Sequence, residues 1–104
     1  MKIIWRQNAK DGYKQIANYI KLKFGIKAKR KFVTEVTEYE KLLCQHPNMA
    51  SIDTLFETRA RTYRSVLINN LSKMVYYLED DIIYISAFWD CRSNPITQAQ
   101  QVKD

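Results

Sequence analysis

The hydrophobic positions of this chain follow a helical spacing in its first half. After a short strand-like run at residues 2–5, the apolar stripe predicts a helix over residues 8–24, with Asn8 as N-cap and Gly25 at its end. A second stripe predicts a helix over residues 27–45 that ends before Pro47. Because the link between them is so short, the two helices should form an antiparallel hairpin.

From residue 60 onward the pattern is that of strands. Three runs rich in Ile, Val, Tyr and Phe occupy residues 60–68, 72–79 and 82–89. The pairs Asn69-Asn70 and Asp80-Asp81 between them favour tight hairpin turns, so we expect an antiparallel sheet. Residues 48–58 predict at most one helical turn, capped by Ser51 or Asp53.

The predicted order of strand, helix, helix and three strands indicates an α+β fold, with a single domain over residues 1–95. Two helices cover only one face of such a sheet, so the other face should be at least partly open and lined with aromatic residues and arginines. A face of that kind suits nucleic-acid or peptide recognition. Residues 96–104 are polar and should form a flexible tail.

Composition excludes several classes of protein. The 104 residues, 46% hydrophobic and 27% charged, are those of one ordinary globular domain. No apolar run is long enough for a membrane span or a signal peptide, so we expect a cytosolic protein. Cys44 and Cys91 should be free thiols there. A single histidine leaves no His/Cys ligand set, so we expect neither a metal nor a cofactor.

The net charge of +6 favours an acidic partner, either a nucleic acid or an acidic protein segment. Residues 21–31 contain six basic residues and no acid, and a second basic group consists of Arg59, Arg61 and Arg64. Either group can also be plain solvated surface. The interpretation as solvated surface fits the first group better than the second, because the second enters a predicted strand beside Tyr63.

The order of these elements resembles the RelE/ParE superfamily of bacterial type II toxin–antitoxin toxins. The resemblance covers residues 2–95, and its most specific parts are Tyr63-Arg64, the strands MVYY and IIYI, and the closing WDCRSNP. It implies a growth-inhibiting toxin that a co-expressed antitoxin silences. RelE-like members cleave mRNA in the ribosomal A site without a metal, whereas ParE-like members lack that catalytic set and poison DNA gyrase.

The resemblance implies a catalytic surface made of three cations, Arg64, Lys73 and Arg92. Lys73 stands where the RelE-like pattern has an arginine, so the bidentate fork that suits a phosphate is lost. Val66 stands where RelE has a basic residue. Neither Tyr nor His occupies the position of the general acid near the end of the last strand.

Further residues are expected at the margin of this surface as nucleic-acid or partner contacts, namely Arg59, Arg61, Tyr77 and Asp90. Pairing about the Asn69-Asn70 turn allows Arg64 and Lys73 to share a face. Asp90 and Arg92 can also form a local salt bridge. Three functions remain open: a ribosome-dependent mRNA endoribonuclease, a topoisomerase inhibitor, and a non-toxic nucleic-acid- or protein-binding module. The missing acid favours the second.

Overall fold

The computed structural model describes residues 1–103. Its α+β class and the order of its elements agree with the prediction from the sequence. A two-residue strand and a short last helix are added, and the predicted helical turn within residues 48–58 is a 3-10 turn. In chain order the elements are β1 (Lys2–Trp5), α1 (Gln7–Phe24), α2 (Ile26–Gln45), β2 (Ser51–Ile52), a 3-10 turn (Thr54–Phe56), β3 (Arg64–Ile68), β4 (Ser72–Glu79), β5 (Ile82–Asp90) and α3 (Pro95–Gln100).

The helical hairpin depends on one glycine. Gly25 has φ +92° and ψ 175°, a conformation open almost only to glycine, and its N–H donates to the carbonyl of Lys21 at 2.9 Å. The predicted N-cap at Asn8 is wrong. α1 begins after Arg6, and the Asn8 side chain instead donates to the carbonyl of Ser86 on β5 at 3.3 Å. Asn8 therefore joins helix to sheet.

The sheet has the order β1-β5-β4-β3-β2. Its pairs are antiparallel except one, since β1 runs parallel to β5, with Lys2 opposite Ile82 and Trp5 opposite Ile85. The expectation of a wholly antiparallel sheet is wrong at that pair. Strand periodicity identifies a strand but not its partner. β1 is followed by a helix and not by a hairpin turn, so the sequence does not indicate which strand it pairs with.

Both predicted turns are confirmed. Asn69, Asn70, Asp80 and Asp81 have φ between 52° and 61°, as a type I′ hairpin turn requires at its two central residues. The first turn is followed by one extra residue, because Ile68 pairs with Ser72 rather than with Leu71. This single residue sets which side chains of β4 face the helices.

Each face of the sheet carries its own hydrophobic cluster. The helix-side cluster packs both helices against residues such as Met74, Tyr76, Ile83, Ile85 and Phe88. The second, which we call the aromatic cluster, lies on the opposite face and consists of Phe56, Tyr63, Val75, Tyr77, Ala87, Trp89, Ala99 and Val102. The predicted open face is therefore wrong, since the 3-10 turn and α3 contribute buried residues to that cluster.

The predicted flexible tail, residues 96–104, instead contains most of α3, and Asp104 lies outside the described residues. The Asn94 side chain accepts from the backbone N–H groups of Ile96 (3.0 Å) and Thr97 (3.4 Å), and Pro95 occupies the first position of α3. Ala99 and Val102 are buried. An N-cap asparagine followed by proline is a helix-start signal. Among residues 1–103, no helix is both long and apolar enough to cross a membrane.

Candidate functional site

Arg64 opens β3 on the helix side of the sheet. It lies opposite Tyr76, and its Nη1 donates to the carbonyl oxygens of Ala50 (2.7 Å) and Asn48 (3.4 Å). The guanidinium thus fixes the segment that leads into β2. The Arg64 side chain therefore has a structural role.

Lys73 lies on the other face. Its Nζ is 2.6 Å from Oδ2 of the buried Asp53 and 5.4 Å from the centre of the Trp89 ring. The expectation that Arg64 and Lys73 share a face is wrong, because the extra residue after the Asn69-Asn70 turn shifts the register by one. A shift of one residue moves a side chain to the opposite face.

Arg92 follows β5 and lies over α1. Its Nε and Nη2 donate to the Asp90 carboxylate at 3.0 and 2.8 Å, and its backbone N–H donates to the same group at 2.8 Å. The guanidinium carbon is 5.3 Å from the centre of the Tyr19 ring. The local salt bridge between Asp90 and Arg92 is therefore present. Hydrogen bonding from Arg92 lowers the pKa of Asp90 below its ordinary value.

Replacing Arg92 by alanine is expected to raise the pKa of Asp90 toward its ordinary value, because the hydrogen bonds from Arg92 are lost. Because the folded pKa lies below the unfolded one, the pair stabilises the protein at neutral pH, and this contribution is lost as the pH falls through the folded pKa. The Arg92 side chain is 71% exposed, so the decrease in the free energy of unfolding at pH 7 should be small. A carboxyl NMR titration measures the shift, with Arg61→Ala as the control that should leave Asp90 unchanged.

Of the marginal residues, Tyr77 belongs to the aromatic cluster and Arg59 and Arg61 lie beside it, whereas Asp90 lies on the helix side. The Arg61 guanidinium lies 4.3 Å from the centre of the Tyr77 ring and donates to Glu79 at 3.1 Å. Tyr77 itself is buried and stacks on Tyr84 at 5.0 Å. Arg59 donates to the carbonyl oxygens of Val102 (2.6 Å) and Ala99 (2.9 Å). Arg59 therefore fastens residues 99–102 to the segment between the 3-10 turn and β3.

Replacing Arg59 by alanine is expected to loosen residues 95–103 and lower the free energy of unfolding by about 2 kcal/mol, since two charge-assisted hydrogen bonds are lost. Limited proteolysis should then cut within this segment faster than in the wild type, and chemical denaturation gives the energy. Arg61→Ala, which removes an exposed ion pair, should change stability much less than Arg59→Ala does. Equal cleavage of Arg59→Ala and wild type would contradict the assignment.

An apolar groove of about 300 Å³ brings charged side chains together with large apolar ones. One wall is α1 and α2, and the other is the β3–β4 turn and the end of β5. Its lining residues include Ile16, Tyr19, Ile20, Phe24, Ala28, Phe32, Ile68 and Leu71, with Lys31, Asp90 and Arg92 among them. Tyr19, Phe24 and Leu71 are exposed although they are large and apolar. Such a groove suits the apolar face of a helix.

The three predicted cations are not brought together. Arg64 and Lys73 lie on opposite faces of the sheet, and Arg92 joins the groove beside α1. The geometry instead marks the groove as the candidate binding site. A family model described as "ParE toxin of type II toxin-antitoxin system, parDE" matches residues 3–95. The chain belongs to the ParE toxin family.

A solved structure supports the fold of this ParE-family toxin. A chain in the structure titled "Chromosomal ParDE TA system from P. aeruginosa" superposes with a TM-score of 0.68 at 16% sequence identity, covering 86% of this chain and 95% of that chain. At this identity the likeness concerns the fold alone. A search of functionally curated proteins found no match.

The sequence interpretation missed the groove of the toxin. Its signal was present in α1, where Tyr19 lines the groove as a large apolar residue that is 40% exposed. Phe24, the last residue of the predicted helix, also lines the groove and is 67% exposed. An amphipathic helix with more apolar residues than its buried face accommodates has a second contact to make.

Proposed function

We propose that this ParE-family toxin inhibits growth by binding DNA gyrase rather than by cleaving mRNA, and that its antitoxin docks in the apolar groove. The proposal rests on the positions and binding partners of the three cations Arg64, Lys73 and Arg92. Each is bound by acceptor groups of the protein itself, and two of them lie on opposite faces of the sheet. Phosphate clamping requires cations that converge on one point.

The side chains that could transfer a proton also argue against mRNA cleavage. Tyr76 is the tyrosine opposite Arg64, and its hydroxyl donates to the carbonyl of Pro47 at 2.8 Å. Burial raises its pKa, so the phenol stays neutral and engaged. His46, the only histidine, ends α2. The groups that a metal-independent ribonuclease needs for general acid and base catalysis are therefore not assembled.

Two assays with the purified toxin test the choice of target. We expect inhibition of DNA supercoiling by gyrase, with accumulation of cleaved DNA, and no cutting of mRNA on translating ribosomes. Addition of the antitoxin encoded by the neighbouring gene should restore supercoiling. Cleavage of mRNA without any effect on gyrase would overturn the proposal and support the RelE-like activity of Arg64, Lys73 and Arg92. Both targets lie in the cytoplasm, where we place the toxin.

The groove fits an antitoxin segment of defined chemistry. Its apolar walls require an apolar helix face, and Lys31 at one side favours an acidic residue on the partner. The net charge of +6 has the same sign. An amphipathic, acidic antitoxin helix therefore meets both requirements.

Replacing Leu71 by glutamate is expected to weaken antitoxin binding at least about tenfold, because a charge would enter the apolar groove. The wild-type side chain is 64% exposed, so the fold should be retained. Leu67→Glu is the matched control, since Leu67 is also half exposed but does not line the groove. Titration calorimetry with the purified antitoxin measures the difference. Equal affinities for the two variants would place the antitoxin elsewhere.

A further inference from the structure

The tip of the α1–α2 hairpin has a composition unlike the rest of the surface. The tip comprises residues 21–31, and it carries six cations, which are Lys21, Lys23, Lys27, Lys29, Arg30 and Lys31. The chain has seventeen basic and eleven acidic residues, so the eleven basic residues outside the tip balance the acids. The whole excess charge of +6 therefore resides on this one projection.

The cations at the start of α2 do not stabilise the hairpin, whereas Lys21 and Lys23, in the last turn of α1, lie where the helix dipole favours them. α2 has no acidic residue in its first turn and no side-chain cap, and Lys27 and Lys29 lie at its positive end. Cations at a helix N-terminus oppose the helix dipole. In the described part of the chain, no ion pair joins the six cations to a carboxylate. The cations of the tip, which have no carboxylate partner among the described residues, are therefore available to an external partner.

The tip also exposes apolar side chains. Leu22 is 89% exposed, and Ile26 is 45% exposed on the other side of Gly25. Neither lines the groove. Phosphates and sugars offer such side chains little to pack against, so a nucleic acid accounts for the charge but not for Leu22 and Ile26. A protein surface with an apolar pocket and an acidic rim accounts for both.

We infer that the tip is the element by which the toxin binds its target, at an acidic surface of the gyrase protein that holds an apolar pocket. This inference rests on the proposed function. Leu22 and Ile26 fill the pocket, while the surrounding lysines meet the acidic rim and accelerate association. The charges are exposed, so the association rate should fall as salt is added. Of the tip residues, Phe24, Ala28 and Lys31 also line the groove, so the two surfaces adjoin, whereas Leu22, Lys23, Ile26 and Lys27 belong to the tip alone.

Two variants test the tip without touching the groove. Leu22→Ser/Ile26→Ser removes the apolar contacts, and Lys23→Glu/Lys27→Glu reverses charge beside them. Both should weaken binding of immobilised gyrase at least about tenfold and abolish inhibition of supercoiling, while antitoxin affinity stays at the wild-type value. The second variant should also lose the salt dependence of the association rate.

Matched controls lie on the same helix and on the sheet. Lys10→Glu/Lys14→Glu makes the same charge change on exposed positions of α1, and Ile52→Ser removes an exposed apolar side chain from β2. Both should bind gyrase like the wild type. Equal losses in the controls and the tip variants would overturn the inference, because charge or hydrophobicity anywhere on the surface would then suffice.

The remaining outcomes separate the two proposals. If the wild type binds and inhibits gyrase and the tip variants do so equally well, the tip inference fails and the proposed target stands. If the wild type does not affect gyrase, the proposed function fails and takes the inference with it. Fluorescence anisotropy with a DNA duplex and toxin alone covers the nucleic-acid alternative. Tip-dependent DNA binding, combined with gyrase binding that requires DNA, would overturn the assignment to a protein surface.

Discussion

Replacing Gly12 by alanine is expected to lower the free energy of unfolding by at least about 3 kcal/mol, among the larger effects of a single substitution. A Cβ at Gly12 would lie 1.9 Å from the carbonyl oxygen of Phe88. The obstacle is backbone of β5, so α1 must move away from the sheet rather than a side chain rotate. That movement would disturb the helix-side cluster, where Phe88 packs against Tyr13 and Phe32.

The sign of this effect makes the test sharp. In an exposed helix interior, glycine to alanine stabilises a protein by roughly 0.5–1 kcal/mol. Denaturant titration of Gly12→Ala should instead give a loss, and the melting temperature should fall by more than about 10 °C. Lys14→Ala, at an exposed position of the same helix, should change stability by less than about 0.5 kcal/mol. A Gly12→Ala protein as stable as the wild type would mean that α1 does not approach β5 so closely.

The second large effect is expected at the ion pair beneath the aromatic cluster. Replacing Lys73 by methionine removes the ammonium 2.6 Å from Asp53 Oδ2, and no other donor in the described residues bonds that oxygen. The carboxylate would be left buried without a counter-charge, which should cost about 3 kcal/mol. Equilibrium unfolding in urea measures the loss.

A double variant separates an unpaired charge from lost packing. Lys73→Met/Asp53→Asn removes both charges, and the asparagine oxygen still accepts from the Leu55 N–H, as Asp53 Oδ1 does at 3.0 Å. Most of the lost stability should therefore return, giving a coupling free energy of about 2 kcal/mol in the double-mutant cycle. Growth inhibition by the double variant should match the wild type. A stable double variant without toxicity would restore Lys73 to the list of catalytic candidates.

The sequence predicted the helices and strands well because their patterns are local. Gly25 ended α1 as its position predicted, and Asp53 caps the 3-10 turn by accepting from Leu55. The two turn signals had the conformation that hairpins require. Each of these features depends on a few neighbouring residues, so the chain alone specifies it.

The site was harder to predict because it depends on register and on long-range pairing. Leu71 is a single extra residue after a recognised turn, yet it moves Lys73 to the face away from Arg64. The helix-start signal at Asn94-Pro95 was not used, because the residues after it are polar and were interpreted as a flexible tail. The partners that bind the cations, such as the carbonyl of Ala50 for Arg64, are backbone groups that composition does not reveal.

The pairing of β1 with β5 joins the beginning of the described chain to a strand that starts at residue 82. During translation, β1 is made before β5 and has no strand to pair with until β5 has been made. Closure of the aromatic cluster comes later still, because it needs Ala99 and Val102. The α1–α2 hairpin, whose contacts are local, can form while synthesis continues. A chain terminated before β5 therefore presents its basic hairpin without a completed sheet, and the native fold of the toxin arises only after residue 102 has been made.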